Sequence, residues 1–159
     1  MSRQSIVLRR KPLAPRRERL VPIPLQVSKG DADINIALAW TDRAGAETAN
    51  PLINLVNDLD LSASIASGST YSWYGNNFYT GIDSCSRNSY SLRNPATVEW
   101  DHRNNVETIS IKAADIPTGA TQITINVAPF ALTGDGIDPL ETSPNFRQDF
   151  ALFVEDARQ

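Results

Sequence analysis

The sequence predicts an all-β domain, a jelly-roll β-sandwich of about eight antiparallel strands. Three observations carry that prediction. Apolar residues recur with period two in one segment after another and nowhere sustain the 3.6-residue period of a helix. The segments are short and separated by turn-forming clusters, the spacing of sandwich and barrel proteins rather than of alternating strands and helices. The chain has 159 residues, 41% of them apolar and 21% charged, which makes about one domain, large enough to bury a core without disulfide staples.

Each element has its own pattern. In residues 21–27, Val21, Ile23, Leu25 and Val27 fall on one face and Pro22 and Pro24 on the other; a proline gives no ladder N–H, so this is an edge strand. Residues 35–40 form the clearest strand, where Ile34, Ile36, Leu38 and Trp40 alternate with Asn35, Ala37 and Ala39 after the turn-rich Lys29-Gly30-Asp31. Leu59, Leu61, Ala63 and Ile65 place a strand over 59–65, closed by Ser67-Gly68-Ser69. Ile109 and Ile111 mark a strand over 106–112, Ile123, Ile125 and Val127 one over 121–127, and Phe150, Leu152 and Val154 one over 150–154. Weaker candidates at 71–74 and 97–100 bring the number to about eight. Long connections fall at 42–54, 76–95 and 129–147, and connections of that length usually carry function.

Charge divides the chain in two. Residues 1–19 hold seven basic side chains against Glu18, a net +6, so the remainder holds −9 of a chain whose total is −3. The first segment therefore reads as a basic, proline-containing arm without fixed structure, and residues 20–156 as the sandwich. The arm has no aromatic residue to stack on a base and is interrupted by Pro12 and Pro15, so no nucleic-acid partner is expected. No stretch approaches 18 consecutive apolar residues and Ile6-Val7-Leu8 is too short for a signal-peptide core, so neither a membrane partner nor an export signal is expected within this chain.

Catalytic chemistry is eliminated piece by piece. One cysteine, Cys85, and one histidine, His102, exclude an intrachain disulfide, a cysteine zinc cage and any two-histidine motif. No G-x-S-x-G elbow raises a serine for His102 to activate. No glycine-rich phosphate loop is present. Asp58 and Asp60 share one strand face two residues apart, an arrangement that does not straddle a glycosidic bond. The chain is expected to be non-catalytic.

Hard oxygen donors, by contrast, concentrate in three places: Trp40-Thr41-Asp42, residues 54–61 (NLVNDLDL), and residues 101–107 (DHRNNVE). Carboxylates and amide carbonyls are what Ca²⁺ takes, six to eight at a time, although the EF-hand spacing is missing. The competing reading gives the same residues to turns and strand-end caps.

At these positions the sequence resembles a known family. The run INIALAWTD at 34–42, LVNDLDL at 55–61, Tyr74-Gly75-Asn76 and RNNVE at 103–107, with residues 119–127 and 148–154 as closing strands, looks like the C-terminal β-jelly-roll domain that follows the catalytic domain in a branch of subtilisin-like serine proteases. The resemblance covers roughly residues 20–156. It implies a calcium-binding sandwich, related in shape to the P-domains of proprotein convertases, that packs against and stabilises an upstream protease catalytic domain in a secreted, extracellular protein, with the chain itself a monomer. It also implies that Asn57, Asp58 and Asp60 face the turn over residues 101–107 with Asp42 nearby. Asp58 and Asp101 are then the expected carboxylate ligands of Ca²⁺ and Asn57 and Asn105 the amide or backbone donors, while Asp60 and Glu107 either join them or cap and pair with Arg103. The alternative is a free-standing binding module for carbohydrate or protein, with Tyr71, Trp73, Tyr74, Phe78 and Tyr79 stacking on sugar rings.

Overall fold

The computed structural model describes residues 4–9, 23–26, 32–44, 55–78, 90–136 and 147–156. Among these residues the strands are β1 (Gln4–Arg9), β2 (Ile23–Gln26), β3 (Ile34–Trp40), β4 (Asn57–Ser67), β5 (Ser69–Tyr74), β6 (Val106–Ile111), β7 (Gln122–Leu132) and β8 (Phe150–Asp156), and the one helical element among the described residues is the short 3-10 turn Ala113–Asp115. They form two antiparallel sheets. One is built on β8, β3 and β6 with β1 at its edge, the other on β7, β4 and β5 with β2 at its edge. Every strand pairs with the one equally far from the β4–β5 turn: β4 with β5, β3 with β6, β2 with β7, β1 with β8.

Period two explains why these residues form these strands. Along β3 the buried positions are Ile34, Ile36, Leu38 and Trp40; along β4 they include Leu59, Leu61, Ala63 and Ile65; β6 gives Ile109 and Ile111, β7 Ile123, Ile125 and Val127, and β8 Phe150, Leu152 and Val154. These faces meet in one hydrophobic cluster between the sheets. The paired faces of a β-sandwich bury their alternate residues in this way. Trp73 is the one fully buried residue of β5, with no exposed surface, and Ile116 and Ala120 close one end of the cluster.

Two expectations change. Residues 97–100 are not a strand: Trp100 is 40% exposed and meets the edge of the Tyr74 ring at 5.2 Å, so its apolar surface covers a neighbour instead of alternating into the core. Residues 4–9, inside the segment assigned to the basic arm, add β1 beside β8, Ile6 opposite Val154 and Leu8 opposite Leu152; the rest of the 1–19 segment lies outside the described residues.

The free edges of β5 and β6 are closed by single residues acting as one-residue strands. Asn76 N–H donates to Thr108 O (3.0 Å) while Thr108 N–H donates to Asn76 Oδ1 (3.0 Å). Ser91 does the same to Ser110 through its N–H (2.8 Å) and Oγ (3.0 Å), and Asn94 to Ser72 through its N–H (2.8 Å) and Oδ1 (2.6 Å). Asn76 and Asn94 take positive φ, 54° and 48°, a conformation asparagine tolerates better than other side chains. An edge blunted this way offers no ladder to another chain. β4 and β7 slip by one residue between Asp58 and Leu59, with Leu59 opposite Pro129 and Asp58 opposite Ala131. Phe130 is the extra residue of this β-bulge, and the adjacent Pro129 sits where a ladder N–H is dispensable.

The two faces of the sandwich differ in what they contribute. Leu61→Ala, which opens a hole in the sealed core, is expected to cost about 2–5 kcal/mol in urea unfolding, and Phe153→Ala on the outer face of β8 no more than about 1 kcal/mol. Equal losses would contradict the assignment of faces.

Candidate functional site

The oxygen-rich segments meet at one end of the sandwich because β4 outruns β5. β5 pairs with β4 only between Ser62 and Ser67, so the preceding stretch of β4, residues 57–61, needs other partners on that side. Asp42 supplies two: Asn57 N–H donates to its Oδ1 and Val56 N–H to its Oδ2, both at 2.8 Å. The Trp40 indole donates to Asn57 O at 2.9 Å. Leu61 N–H donates to Glu107 Oε2 at 2.6 Å, and Gly75 N–H donates to Leu61 O at 2.9 Å. Gly75 lacks a side chain for a reason of space, since a Cβ there would collide with the Glu107 carboxyl.

The Asn57 side chain is fully buried, and both of its polar atoms are engaged. Its Nδ2 donates to Gln148 Oε1 (2.7 Å), and its Oδ1 accepts the N–H groups of Thr133 (3.1 Å) and Gly134 (3.2 Å). Gln148 in turn donates to Thr41 O (3.0 Å) and Asp149 O (2.8 Å). Asn105 donates from Nδ2 to Trp40 O (2.8 Å) and accepts Trp40 N–H at its own carbonyl (3.1 Å). Asp101 holds the next turn: Oδ1 accepts from Arg103 N–H (3.0 Å) and Asn104 N–H (3.2 Å), Oδ2 from Asn76 Nδ2 (2.6 Å) and Asn104 Nδ2 (2.7 Å). Four donors fill the lone-pair sites of a carboxylate. Burial pushes the Asp101 carboxyl up, but the bonds from Asn104, Asn76, Arg103 and Asn104 N–H outweigh it and hold it below its ordinary value.

Asp58 and Asp60 differ from these. They lie on the face of β4 opposite Leu59 and Leu61, and with His102 they form a group whose candidate ligand atoms all fall within 4.8 Å of one another. His102 Nδ1 is 2.6 Å from Asp58 Oδ2. Its ring stacks on Phe130 with centroids 4.1 Å apart and planes 28° from parallel; the bulge in β7 therefore provides the surface that holds the imidazole over the carboxylates. Asp58 Oδ1 and Asp60 Oδ1 are buried and have no hydrogen-bond donor. Burial, the dominant cause, raises the Asp58 carboxyl, and burial followed by the Asp58 charge lifts Asp60 to about 6.

Of the seven expected ligands, the structure brings Asp58 and Asp60 together and joins them to His102. The side-chain oxygens of Asp42, Asn57 and Asp101 instead accept N–H groups of backbone and turns, and Asn105 is tied to Trp40 through its Nδ2 and backbone carbonyl. Glu107 stands on the core face of β6 without exposed surface, its Oε1 unpartnered, and burial together with the nearby Asp60, Asp101 and Asp58 charges raises it to about 8 despite the Leu61 N–H bond. The group that gathers differs from the set implied by the resemblance: among the described residues, two carboxylates and an imidazole come within 4.8 Å of one another, whereas Ca²⁺ takes six to eight oxygens from side chains, backbone and water. His102 is the residue that sequence reasoning passed over, because it was weighed as the base of a nucleophile and as a member of a two-histidine motif, not as a lone ligand beside carboxylates. The signal was its place inside the third oxygen-rich segment, directly after Asp101. The aromatic set also separates: Trp73 is core, Tyr71 packs against the core with the Arg93 guanidinium 5.3 Å from its ring centroid, Tyr74 meets Trp100, Phe78 is half-buried in a bridge with Ser91, and Tyr79 lies outside the described residues.

No family model matches the chain. Over 94 residues, 59% of its length, the chain is 36% identical to the serine protease/ABC transporter B family protein tagA of Dictyostelium discoideum, and it spans about 5% of that protein. No helix among the described residues is long and apolar enough to cross a membrane.

The buried acids fix a direction of pH dependence. A carboxyl raised in the folded state stabilises the fold below its unfolded pKa, and that stability is lost as pH rises through the folded value. In chelating buffer the unfolding free energy should therefore fall between pH 5 and pH 8, on the order of 1.4 kcal/mol for each unit by which Glu107 is raised. Glu107→Gln should confine the decline to the range below about pH 6 that belongs to Asp60, and a variant with the parent's full slope up to pH 8 would contradict the assignment.

Proposed function

We propose that this chain is the non-catalytic C-terminal accessory domain of a secreted subtilisin-like serine protease, a jelly roll that holds a divalent cation and stabilises the catalytic domain encoded before it. The observation that carries this reading is the agreement of order and place. The segments that resemble the protease-associated family, 34–42, 55–61, 74–76 and 103–107, interlock at one end of the sandwich through Trp40, Asn57, Asn105 and Glu107. A 94-residue similarity to a protein named as a serine protease supports it. The nested strand pairing, a long hairpin folded over on itself into two sheets ordered β1-β8-β3-β6 and β2-β7-β4-β5, supports the jelly-roll arrangement. Calcium is the ion the resemblance implies, and of the expected donors Asp58 and Asp60 gather beside His102 with open oxygens for a cation.

In this role the domain contributes surface and rigidity. Its one histidine is engaged with Asp58. Of the aromatic residues that the carbohydrate reading would use, Trp73 is sealed in the core and Tyr71 packs against it.

Two measurements test the proposal. Purified chain should release no product from casein or peptide esters. The reading frame upstream of codon 1 in the native gene should encode a domain with the Asp, His and Ser of a subtilisin; a gene that encodes this domain with no protease beside it would overturn the reading.

A further inference from the structure

We propose that the group formed by Asp58, Asp60 and His102 is a mixed nitrogen and oxygen site that takes a first-row transition ion of the Zn²⁺ class in preference to Ca²⁺. The inference rests on the reading above that a cation occupies this end of the sandwich, and it names the ion's chemistry.

Donor type decides it. Of the residues that the calcium reading requires, Asp101 already accepts four hydrogen bonds, Asn57 has its amide filled on both atoms, Asn105 is tied to Trp40, and both Asp42 oxygens hold backbone N–H groups. Recruiting the side-chain oxygens of Asp42, Asn57 or Asp101 would compete with the N–H groups they already accept. Glu107 Oε1 is also without a partner but stands on the core face of β6, outside this group; what gathers is one imidazole and two carboxylates, with ligand atoms within 4.8 Å of each other. That is too few oxygens for a cation that wants six to eight. It matches the three protein ligands, drawn from histidine and carboxylate, that Zn²⁺ uses when a fourth position is left to water.

Two features point independently to a ligand at this group. Asp58 is 4% exposed, and its Oδ1 has no donor, while Asp60 Oδ1 next to it is likewise buried and bare. Two unpartnered carboxylate oxygens on one strand face repel each other and forgo hydration, a condition a cation relieves. The second feature is the fixing of His102. Its ring lies stacked on the exposed bulge residue Phe130, so the imidazole is held beside the carboxylates by packing as well as by its 2.6 Å contact with Asp58. Groups outside the ligand set orient metal-binding histidines, ordinarily through a hydrogen bond to the other ring nitrogen; here Phe130 orients the ring by stacking.

The test is titration of the metal-free full chain with Zn²⁺, Co²⁺ and Ca²⁺ by calorimetry, with the Co²⁺ visible spectrum reporting the donors. A Cys85→Ser background removes the lone thiol as a competing ligand. One Zn²⁺ or Co²⁺ per chain is expected. His102→Ala should weaken binding by at least about tenfold, the lower bound for losing even an outer-sphere partner, and Asp60→Asn should weaken it while the circular dichroism of both variants remains that of the parent. Ca²⁺ binding unchanged by His102→Ala would overturn this inference and leave the cation reading standing. Zn²⁺ binding unaffected by His102→Ala and Asp60→Asn alike would also overturn it, by placing the ion elsewhere. Absence of binding by all three ions would overturn the inference and the cation reading together.

Discussion

The unpaired stretch of β4 is the constraint on which this end of the molecule depends. A strand of eleven residues lies beside a neighbour of six, and the N–H and C=O groups left over are buried against the other sheet, where they cannot turn to water without cost. The chain meets them with side chains drawn from far along the sequence: Asp42 and Trp40 from the loop side of β3, Glu107 from β6, and the backbone of Gly75 just past β5. These bonds tie the two sheets to each other at the same place, so what satisfies a ladder also fixes the packing of the sandwich. Asn57 extends the tie to the segments around Thr133 and Gln148.

That constraint sorts the acidic residues into two kinds. Those that face the loops or the core, Asp42 and Glu107, are consumed as substitutes for a missing strand, and Asp101 is consumed in its own turn. Asp58 and Asp60 face the other way, where β7 already pairs the backbone, and nothing in the ladder asks for their oxygens. They are left with a histidine and an aromatic ring, both brought there by irregular structure, the turn at 101–104 and the bulge at Phe130. The candidate site is thus what the closure of the fold leaves over, and its chemistry follows from which donors were already taken.

Much of the fold was legible because period two is a direct imprint of a two-faced strand. β3, β6 and β8 match the residues whose alternation predicted them, and the β4 and β7 strands extend beyond the predicted 59–65 and 121–127 because their ends carry polar or irregular residues, Asn57 and Asp58 in one and Pro129 and Phe130 in the other. β5 was only a weak candidate, since a single buried residue, Trp73, leaves no alternation to read. Trp100 misled for the opposite reason: an aromatic residue that covers Tyr74 has the composition of a strand without its geometry. Which strands pair was not legible at all, because partners such as β3 and β8 lie more than a hundred residues apart. At the site, the oxygen-rich segments were visible but the fate of each oxygen was not. Asn57 and Asp58 are neighbours in sequence, and only the pleat puts one into the core network and the other outside it.

The central claim is that the oxygens left over by the fold, with His102, form a cation site at the end of the sandwich. It is tested most directly by crystals grown with Zn²⁺ and measured on both sides of the zinc absorption edge. The account predicts one anomalous peak within bonding distance of the Asp58 and Asp60 carboxylates and the His102 ring. A map with no peak there, and with the Asp58 to His102 contact intact, would contradict it.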